Sequence, residues 1–484
     1  MRPPAELIET HISVITMIGD RAYKLLKPVA MGFLDHRRRK DRLAACRRET
    51  EVNRRFAPDV YLGVLDVVDE DGNALDHLIS MRRMPDARRL SALLDGPDAP
   101  QLVRAVARAV AGFHRDSPTS PSIAEAGRLA VVLGLWEEGL DQLADSAPGV
   151  VPPEDVERAR TLAQTYLGGR RALLDRRIAD GWVRDGHGDL LADDVFCLPD
   201  GPVVLDCLAF DDRLRHGDVL GDVAFLAMDL EADGRPELGE MLIGEWRREL
   251  GESHPFSLAH HYLAYRAHVR SKVAALRSGQ GGDPDAAARA RRLHALALMH
   301  LERARVRMVL VGGAPGTGKT TLAQALGEAT GWAVLRSDET RKDLAGLPHA
   351  PADPGEFGVG LYAPEISERV YAEMLDRAAG HLALGESVVL DASWSAGGRR
   401  AAARRVASGC GAEAIEIRCR LVAAIASARI QARRAGGEGS SDATPEIAQR
   451  LAASADPWPE SRAIDTESPP DLALREARRL VGPF

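Results

Sequence analysis

A glycine-rich segment around residue 316 is the feature that most constrains what this chain can fold into. It matches the pattern G-x-x-x-x-G-K-[ST] and reads Gly313, Ala314, Pro315, Gly316, Thr317, Gly318, Lys319 and Thr320. The apolar run 308–312 precedes it, and apolar residues at helical spacing follow over 322–326. This context predicts a strand, a phosphate-binding loop and a helix, which makes the short pattern a binding site.

Each part of this loop has a chemical task. The glycines let backbone N–H groups face a polyphosphate, and the N-terminus of the following helix adds favourable partial charge. Lys319 is expected to reach the outer phosphates, and the Thr320 hydroxyl is expected to complete the shell of a Mg²⁺ ion. Thr321 extends the binding segment by one residue. The sequence therefore predicts a nucleoside triphosphate site that uses ATP and Mg²⁺.

Length, charge and cysteine usage restrict the remaining possibilities. A chain of 484 residues is long enough for about three domains or lobes, each with its own core. The net charge of −8 disfavours broad nucleic-acid binding. No apolar run reaches the ~18–20 residues needed to cross a bilayer, and no secretory leader pattern opens the sequence. The five cysteines lack metal or redox spacing, so we expect reduced thiols in a cytoplasmic protein.

Hydrophobic patterning divides the chain into three regions. The first combines predicted strands with one basic helix, at 11–18, 22–26, 35–56 (the helix), 61–68 and 77–84. The second has helical patterns and two short strands, at 101–179, 195–198, 203–208 and 218–277. In the third, apolar strands alternate with helices, which predicts a parallel sheet with strands at 308–312, 332–336, 387–391 and 413–419. Residues 456–470 are expected to be irregular before a final helix at 471–481.

A second cluster of chemistry-bearing residues lies in the middle region. Residues 184–195 read R-D-G-H-G-D-L-L-A-D-D-V, so Asp194 follows Asp189 by five positions. Asp206 ends the apolar run 202–205, seventeen positions after Asp189. In kinases of the eukaryotic type, one Asp orients and deprotonates the attacking hydroxyl, and two oxygen ligands hold Mg²⁺ on the phosphates. The spacing therefore predicts Asp189 as the catalytic residue and Asp194 and Asp206 as metal ligands.

This motif resembles that of a known family. The run His187-Gly188-Asp189-Leu190, with Asp206 and then Gly217-Asp218, resembles the aminoglycoside phosphotransferase family, above all a bacterial subgroup fused to a small P-loop kinase domain. The resemblance implies a bilobal, α+β kinase-like region, followed by an α/β P-loop domain with a parallel sheet. The implied boundaries are 1–85 for the N-lobe, 86–300 for the mainly helical C-lobe and 301–484 for the P-loop domain. It also implies phosphate transfer from ATP to a hydroxyl group.

The resemblance also assigns roles in the first region. Lys24, on the second strand of the predicted hairpin, would contact the α- and β-phosphates of ATP. Glu49, in the helix that follows, would pair with Lys24. Lys27 and Glu51 are the alternatives if the strand or helix register differs by a residue or two.

Two positions depart from the family pattern. The family usually has His two residues after the catalytic Asp, where this chain has Leu191, and Asn five residues after it, where this chain has Asp194. Asp remains a good hard-oxygen ligand for Mg²⁺, whereas Leu191 removes a hydrogen-bonding group that would brace the loop. A kinase-like region that binds without transferring phosphate therefore stays open. We expect His187 to be a hydrogen-bonded structural residue of the loop.

The third region is similar to small P-loop kinases of the gluconate-kinase and polynucleotide-kinase type. Asp338 follows the predicted second strand, where substrates bind at the carboxyl ends of parallel strands. The similarity implies that Asp338 is a general base and that Arg341 binds substrate; an N-cap role for Asp338 is the alternative.

Further residues of the third region also have predicted roles. Asp391 ends an apolar strand and is expected to hold Mg²⁺ through water. Arg429, Arg433 and Arg434 would belong to a mobile lid that reaches the transferred phosphoryl group, or simply to a solvated helix face.

Three functions are compatible with these motifs. The first is a bifunctional phosphotransferase that uses ATP and Mg²⁺ on hydroxyls of small molecules such as sugars or aminoglycosides. The second is a C-terminal P-loop kinase with a non-catalytic kinase-like module. The third, disfavoured by the lack of a basic strip, is a nucleic-acid end kinase. An acidic acceptor pocket could use Asp211, Asp212 and Asp218, although these could equally pair with Arg213 and Arg215. The oligomeric state has no sequence signal.

Overall fold

The computed structural model describes residues 6–10, 12–31, 34–279, 285–349, 360–436 and 444–483. The chain divides into two compact units. The first unit comprises Met1–Val151, Asp175–His254 and Tyr262–Ala297, and the second comprises Pro152–Leu174, Pro255–His261 and Leu298–Phe484. Two short segments that the sequence analysis placed in the helical C-lobe, 152–174 and 255–261, thus belong to the second unit. The three-part division at residues 85 and 300 stays a prediction.

The first unit begins with a five-stranded antiparallel sheet in the order β1-β2-β3-β7-β6. Its elements are β1 Glu6–Glu9, β2 Ser13–Ile18, β3 Arg21–Leu26, helix α1 Arg39–Asn53, β6 Tyr61–Val68 and β7 Ala74–Arg82, with the small hairpin β4 Ala30–Met31 and β5 Leu34–Asp35. Alternation of apolar and polar residues directs Leu26, Tyr61 and Ile79 into a core beneath α1. The predicted hairpin is confirmed, whereas β1, all of whose residues are exposed, was missed.

The rest of the first unit is mainly helical. Its helices are α2 Leu90–Leu93, α3 Ala99–Asp116, α4 Pro121–Ala124, α5 Leu129–Ser146, α8 Val219–Ala232 and α9 Pro236–Leu250, with parts of α7 Arg171–Ala179, α10 Phe256–Gly279 and α11 Ala286–Arg303. Two antiparallel strand pairs join β8 Val183–Asp185 to β11 His216–Asp218 and β9 Val195–Leu198 to β10 Gly201–Val204. The strand predicted over 203–208 ends at Val204, because Asp206 has a left-handed backbone with φ 62° that no strand accommodates.

The second unit contains a five-stranded parallel sheet in the order β13-β14-β12-β15-β16. The strands are β12 Arg307–Gly312, β13 Ala333–Arg336, β14 Val388–Asp391, β15 Glu413–Arg420 and β16 Arg462–Asp465. The helices are α6 Pro153–Gly168, α12 Lys319–Thr330, α13 Ser337–Ala345, α14 Pro364–Ala383, α15 Gly397–Gly409, α16 Ala423–Gly436, α17 Pro445–Ala453 and α18 Pro470–Val481. The irregular segment predicted over 456–470 is wrong in part, because β16 lies within it.

The predicted fold class is confirmed: a kinase-like α+β region precedes an α/β domain with a parallel P-loop sheet. Val311 of β12 lies opposite Asp391 of β14, and Asp391 lies opposite Arg336 of β13. The carboxyl ends of the three strands therefore meet at one edge of the sheet. Within the described parts of the chain, no helix has the length and apolar character needed to traverse a bilayer.

Two glycines fix the end of α6 within the second unit. A Cβ placed on Gly169 would lie 2.0 Å from the Cys410 carbonyl oxygen, and one placed on Gly411 would lie 2.4 Å from the Thr165 carbonyl oxygen. The guanidinium of Arg170 also donates to the Cys410 carbonyl oxygen at 2.7 Å. Backbone atoms approach so closely here that any side chain at position 169 would displace one segment from the other.

We therefore expect Gly169→Ala to destabilise the second unit by about 1–3 kcal/mol, because the new methyl group overlaps backbone that cannot move aside cheaply. Gly168→Ala is the matched control, since a Cβ at Gly168 meets nothing within 4 Å. Urea unfolding followed by hydrogen exchange in peptides of 153–168 and 405–415 measures the effect. Equal destabilisation by both substitutions would contradict this packing.

Candidate active sites

The first unit holds one lysine between two carboxylates. Lys24 Nζ on β3 donates to Glu49 Oε1 on α1 at 2.7 Å and lies 3.6 Å from Asp206 Oδ1. The side chains of Lys24 and Glu49 are largely buried, whereas that of Asp206 is 62% exposed. Burial by itself lowers the pKa of Lys24, but the charges of Glu49 and Asp206 outweigh it and raise that pKa. The lysine is therefore held as a fixed cation beside an accessible carboxylate.

The alternative lysine and glutamate lie elsewhere. Lys27 Nζ donates to Glu9 Oε1 and to the Thr10 carbonyl oxygen, both at 2.6 Å. Glu51 lies on the exposed side of α1, 3.3 Å from an Arg48 nitrogen. The structure thus brings Lys24 and Glu49 together and does not do so for Lys27 and Glu51. The contact of Lys24 with ATP phosphates stays a prediction.

A buried asparagine holds the Asp206 segment against α1. The Asn53 amide accepts the Cys207 N–H at 2.8 Å and donates to the Cys207 carbonyl oxygen at 3.2 Å. The Asp206 N–H donates to the Tyr61 hydroxyl at 3.4 Å. These bonds keep Asp206 in its left-handed conformation, in which its carboxylate faces Lys24 and solvent.

The loop that carries Asp189 is held by a buried carboxylate on α8. Asp222 accepts the backbone N–H groups of His187 at 2.6 Å and Gly188 at 2.9 Å. Trp246 Nε1 donates to His114 Nδ1 at 2.9 Å, so His114 Nε2 carries the hydrogen that it donates to Asp222 at 3.0 Å. Burial tends to raise the pKa of Asp222, but the hydrogen bond from His114 and the charge of Arg266 outweigh it and lower that pKa. Asp222 is therefore an ionised anchor for the loop.

His187 uses both ring nitrogens inside the loop. Its Nε2 donates to the Leu205 carbonyl oxygen at 3.0 Å, and its Nδ1 accepts the Asp189 N–H at 3.4 Å. Burial lowers the pKa of His187, so the ring is neutral. This geometry agrees with the structural role predicted for His187, because neither nitrogen is left to move a proton.

Three carboxylates lie within electrostatic reach of one another around this loop. The pKa of Asp194 is raised, by burial first and then by the charges of Asp206 and Asp189. Burial likewise raises the pKa of Asp189. Such crowding is relieved by a divalent cation, and Mg²⁺ is usually held by one or two carboxylates together with substrate phosphates. Among the residues that the structure describes, no three side chains form a ready-made metal cage, which is compatible with that mode of binding.

Leu191 occupies the position where the related family has His. Its side chain is buried, and its carbonyl oxygen accepts the Asp194 N–H at 3.1 Å. The Asp194 carbonyl oxygen in turn accepts the Leu205 N–H at 2.9 Å. The Ala192 N–H donates to Asp229 on α8 at 3.0 Å. Backbone bonds and a second α8 carboxylate therefore brace the loop in the absence of a histidine side chain.

The predicted acidic acceptor pocket is wrong in its residues. Asp211 pairs with Arg213 at 2.7 Å, and Asp212 pairs with Arg215 at 2.8 Å. Asp218 is buried against Arg177 at 2.7 Å. Each of these carboxylates is thus paired with an arginine, as the alternative interpretation held for the first two.

In the second unit, the glycine-rich segment joins β12 to α12 as predicted. Gly316 and Gly318 both have φ 81°, a conformation that favours glycine. A Cβ at Gly316 would lie 2.5 Å from the Ala426 carbonyl oxygen, so the loop is also closely packed. The Thr317 hydroxyl donates to the Ala314 carbonyl oxygen at 2.7 Å and thereby closes the turn. Lys319 and Thr320 then begin α12, and Thr321 is exposed on its first turn.

Thr320 meets the carboxylate predicted to hold Mg²⁺. Its hydroxyl donates to Asp391 Oδ2 at 2.7 Å, and Arg336 Nε lies 3.4 Å from the same oxygen. Asp391 Oδ1 is buried and has no hydrogen-bond partner among the described residues. A buried carboxylate oxygen without a partner is costly unless it binds something, and a hydrated Mg²⁺ ion beside Thr320 would supply that partner. The residues present therefore fit the ion.

Asp338 and Arg341 lie on the first turns of α13, directly after β13. The pKa of Asp338 is raised, chiefly by burial, and the charge of Lys319 opposes this shift. Asp338 is not the N-cap of α13, since Arg336 holds that position and no side chain caps the helix. Arg341 donates to the Leu361 carbonyl oxygen at 2.7 Å, with its guanidinium 4.7 Å from the Tyr362 ring centroid. The substrate roles of both residues stay predictions.

Arg429 lies beside the phosphate-binding loop. It donates to the Thr466 carbonyl oxygen at 3.1 Å, and a Cβ at Gly318 would lie 3.6 Å from Arg429 Nη1. Arg429 is exposed and lies against the loop, and its role in a mobile lid stays a prediction. The side chains of Arg433 and Arg434 lie outside the described residues.

Several residues that shape the two sites have no local sequence signal. Thr466, directly after β16, donates to the Thr317 carbonyl oxygen at 2.6 Å and so supports the phosphate-binding loop. Asn53, Tyr61 and Asp222 support the first site in the same way. Of these residues, only Asp222 could have been singled out from the sequence, because a carboxylate inside an apolar helix requires a buried partner.

Comparison with known proteins places the chain in a family. Residues 308–458 match a family described as an AAA domain. Over 476 residues the chain is 39% identical to Rv2004c, an uncharacterized protein of Mycobacterium tuberculosis. The matched region covers 98% of this chain and 95% of Rv2004c. The chain belongs to the Rv2004c family. Another member of the Rv2004c family, Mb2027c of Mycobacterium bovis, has the same identity and coverage.

Solved structures similar to this Rv2004c-family chain fall into two groups. A choline kinase from Cryptosporidium parvum Iowa II is 11% identical and has a TM-score of 0.39. The match covers 62% of this chain and 87% of the choline kinase chain. A gluconokinase from Sinorhizobium meliloti 1021 is 18% identical and has a TM-score of 0.27. The match covers 36% of this chain and 91% of the gluconokinase chain.

The predicted combination of a kinase-like region with a P-loop kinase domain is confirmed. In this Rv2004c-family chain, the two folds together support a phosphotransferase activity in general terms, with a nucleotide as the expected phosphate donor.

For this Rv2004c-family protein we expect Asn53→Ala to lower the free energy of unfolding of the first unit by about 1–3 kcal/mol, because it leaves two buried backbone groups of Cys207 without partners. Hydrogen exchange of a peptide spanning 203–209 should become faster. Asn73→Ala, in an exposed turn, is the matched control and should change stability by less than about 0.5 kcal/mol. Unchanged exchange in Asn53→Ala would show that Asn53 does not hold the Asp206 segment.

Proposed function

We propose that the protein is an ATP- and Mg²⁺-dependent phosphotransferase with two nucleotide sites, each of which transfers the γ-phosphoryl group to a hydroxyl of a small molecule. In each site the acceptor oxygen forms a bond to the γ-phosphorus, the bond to the β-phosphate oxygen breaks, and ADP leaves. The hydroxyl proton passes to a carboxylate, which is Asp189 in the first unit and Asp338 in the second. When bound, Mg²⁺ neutralises the charge that develops on the phosphates.

The Lys24 ion pair is the observation that carries the proposal for the first unit. A module that only binds a ligand has no need to bury a Lys–Glu pair and to place Asp206 3.6 Å from the same lysine. A buried ion pair contributes little net stability, so its retention points to a use in phosphate binding. Asp189 and Asp194 lie close enough to Asp206 to affect one another's pKa, which supports a metal-dependent transfer site.

The Thr320–Asp391 contact supports the proposal for the second unit. It joins the end of the phosphate-binding loop to a carboxylate with one unpartnered buried oxygen. The charges of Lys319 and Asp391 both act on Asp338, so the candidate base lies within the same cluster. Together these residues supply phosphate binding, metal binding and proton acceptance.

A second candidate function is a P-loop kinase with a non-catalytic kinase-like module. The buried Leu191, in place of a histidine, favours it, because it removes a polar group from the catalytic loop. A third candidate function is phosphate transfer to the ends of oligonucleotides, since Asp338 and Arg341 resemble the corresponding pair of polynucleotide kinases.

We expect Asp189→Ala and Lys319→Ala each to abolish a different transfer activity, with losses of about 10²–10⁴ in kcat/KM, because one removes a proton acceptor and the other a phosphate-binding cation. Transfer from labelled ATP·Mg²⁺ to a panel of sugars, aminoglycosides and short oligonucleotides measures both activities. Asp200→Ala and Lys40→Ala make the same chemical changes at exposed positions and should leave both activities intact.

The pattern of losses separates the candidate functions. Two acceptors, each lost in a different variant, are the expected result. A single activity that is lost only in Lys319→Ala would make the first unit a binding module and overturn the two-site proposal. Salt-sensitive transfer to oligonucleotides alone would favour the nucleic-acid end kinase.

The activity of the second unit should have an acid limb at an unusually high pH. Burial raises the pKa of Asp338 above the ordinary value of 3.8, and the base must be ionised to accept a proton. Activity is therefore present above the raised pKa and is lost as the pH falls through it. The pH profile of kcat/KM for the Lys319-dependent reaction should show a single acid limb above pH 3.8, absent from the residual activity of Asp338→Asn. A limb unchanged in Asp338→Asn would assign the base elsewhere.

A further inference from the structure

A cavity of about 580 Å³ opens beside the catalytic loop of the first unit. Ala192 and Asp193, which follow Asp189 in that loop, form part of its wall. Ser91 lies on α2, and most of the remaining wall comes from α8, α10 and α11. The cavity is thus adjacent to the residues proposed to carry out transfer and is large enough for a small phosphate acceptor.

The acidic side chains of this cavity are already engaged. Asp193 accepts the Ser91 hydroxyl at 2.5 Å, and Asp229 accepts the Ala192 N–H at 3.0 Å. Asp233 is paired with Arg235, and Glu231 also has an interaction partner. Asp193, Asp229 and Asp233 are thus each engaged at one oxygen within the protein.

The arginines of the cavity differ from its acidic residues in their hydrogen bonding. Arg270 on α10 and Arg289 and Arg292 on α11 all line it. Across the described parts of the chain, none of the three guanidiniums makes a hydrogen bond or a salt bridge; Arg270 is half-buried, whereas Arg289 and Arg292 are exposed. Each guanidinium offers a planar set of donors that fits a carboxylate or a phosphate group. The cavity therefore offers three guanidiniums that an anionic group can bind without breaking an ion pair.

Arg270 also links the cavity to the candidate base. Burial raises the pKa of Asp189, and the charge of Arg270 is the largest influence that opposes it. The charge of Arg270 acts on Asp229 in the same direction, against the burial that raises the pKa of that carboxyl group. The guanidinium thus lies within electrostatic reach of both the catalytic loop and the floor of the cavity.

We propose that this cavity is the acceptor site of the first unit, and that Arg270, Arg289 and Arg292 select an acceptor that carries an anionic group, phosphate or carboxylate, in addition to its hydroxyl. The proposal rests on the two-site phosphotransferase function and names its substrate class. It separates the first site from one that accepts cations such as aminoglycosides, because a cationic acceptor would lie beside three arginines that form no salt bridge.

Equilibrium binding to the full chain tests the proposal without requiring turnover. The probes are glycerol 3-phosphate, glycerate and glycerol, three hydroxyl compounds of similar size that carry a phosphate, a carboxylate or no charge. Calorimetric titrations compare the wild type with Arg270→Gln and with the double variant Arg289→Gln/Arg292→Gln. Arg108→Gln is the matched control, since Arg108 is exposed and pairs with Glu245 outside the cavity. Any binding of probes to the phosphate-binding loop of the second unit is common to all variants.

We expect at least one anionic probe to bind the wild type roughly tenfold or more tightly than it binds either cavity variant, because each variant loses charge-assisted hydrogen bonds. Glycerol should not distinguish the variants, and Arg108→Gln should bind as the wild type does. The preferred probe tells whether phosphate or carboxylate is recognised. Identical binding of both anions to wild type and cavity variants would overturn the proposal.

Asp189→Asn separates this inference from the proposed function. It should retain anion binding, since Asp189 is the proton acceptor and not a ligand of the anionic group. Anion binding that depends on the arginines without any Asp189-dependent transfer would support the site and contradict the catalytic function. Asp189-dependent transfer to a neutral or cationic acceptor, unaffected by the arginine variants, would support the function and overturn the inference.

Discussion

A buried carboxylate, Asp222, is the contact on which the first site depends. It accepts two successive N–H groups of the loop that carries Asp189, and His114 and Trp246 extend the bonds into the helical core. The loop therefore takes its shape from a charge on α8 together with the ring of His187. This explains how the loop keeps a defined conformation although Leu191 replaces a polar residue of the related family.

The phosphate sites proposed for the two units use different physical means. In the first, a side-chain cation on a strand is oriented by two carboxylates, so binding strength depends on keeping Lys24 charged while it is buried. In the second, backbone N–H groups of a glycine-rich loop and a helix N-terminus supply most of the positive potential, and Lys319 adds to it. Both arrangements place an exposed or unpartnered carboxylate oxygen where a hydrated metal ion can bind.

The sequence predicted those features that are encoded within a few residues. The phosphate-binding loop, the strand ending in Asp391 and the hairpin that carries Lys24 were recognisable because pattern and spacing are local. Asn53 and Cys207 are separated by 154 positions, and Thr466 and Thr317 by 149, so no local pattern could pair them. The strand β16 escaped notice because only Ile464 of its four residues is buried, and pairing with β15 determines its conformation.

The hydroxyl of Thr466 has a consequence for the order in which the protein acquires function during synthesis. It donates to the Thr317 carbonyl oxygen inside the phosphate-binding loop and also approaches the Arg420 carbonyl oxygen at 3.0 Å. A ribosome reaches residue 466 long after it has made residues 313–320. The nascent chain can thus form β12 and α12 early, but its loop obtains this support only after β16 has emerged and paired. Nucleotide binding by the second unit is in this sense a late step of translation, separated from the synthesis of its own motif by almost 150 residues.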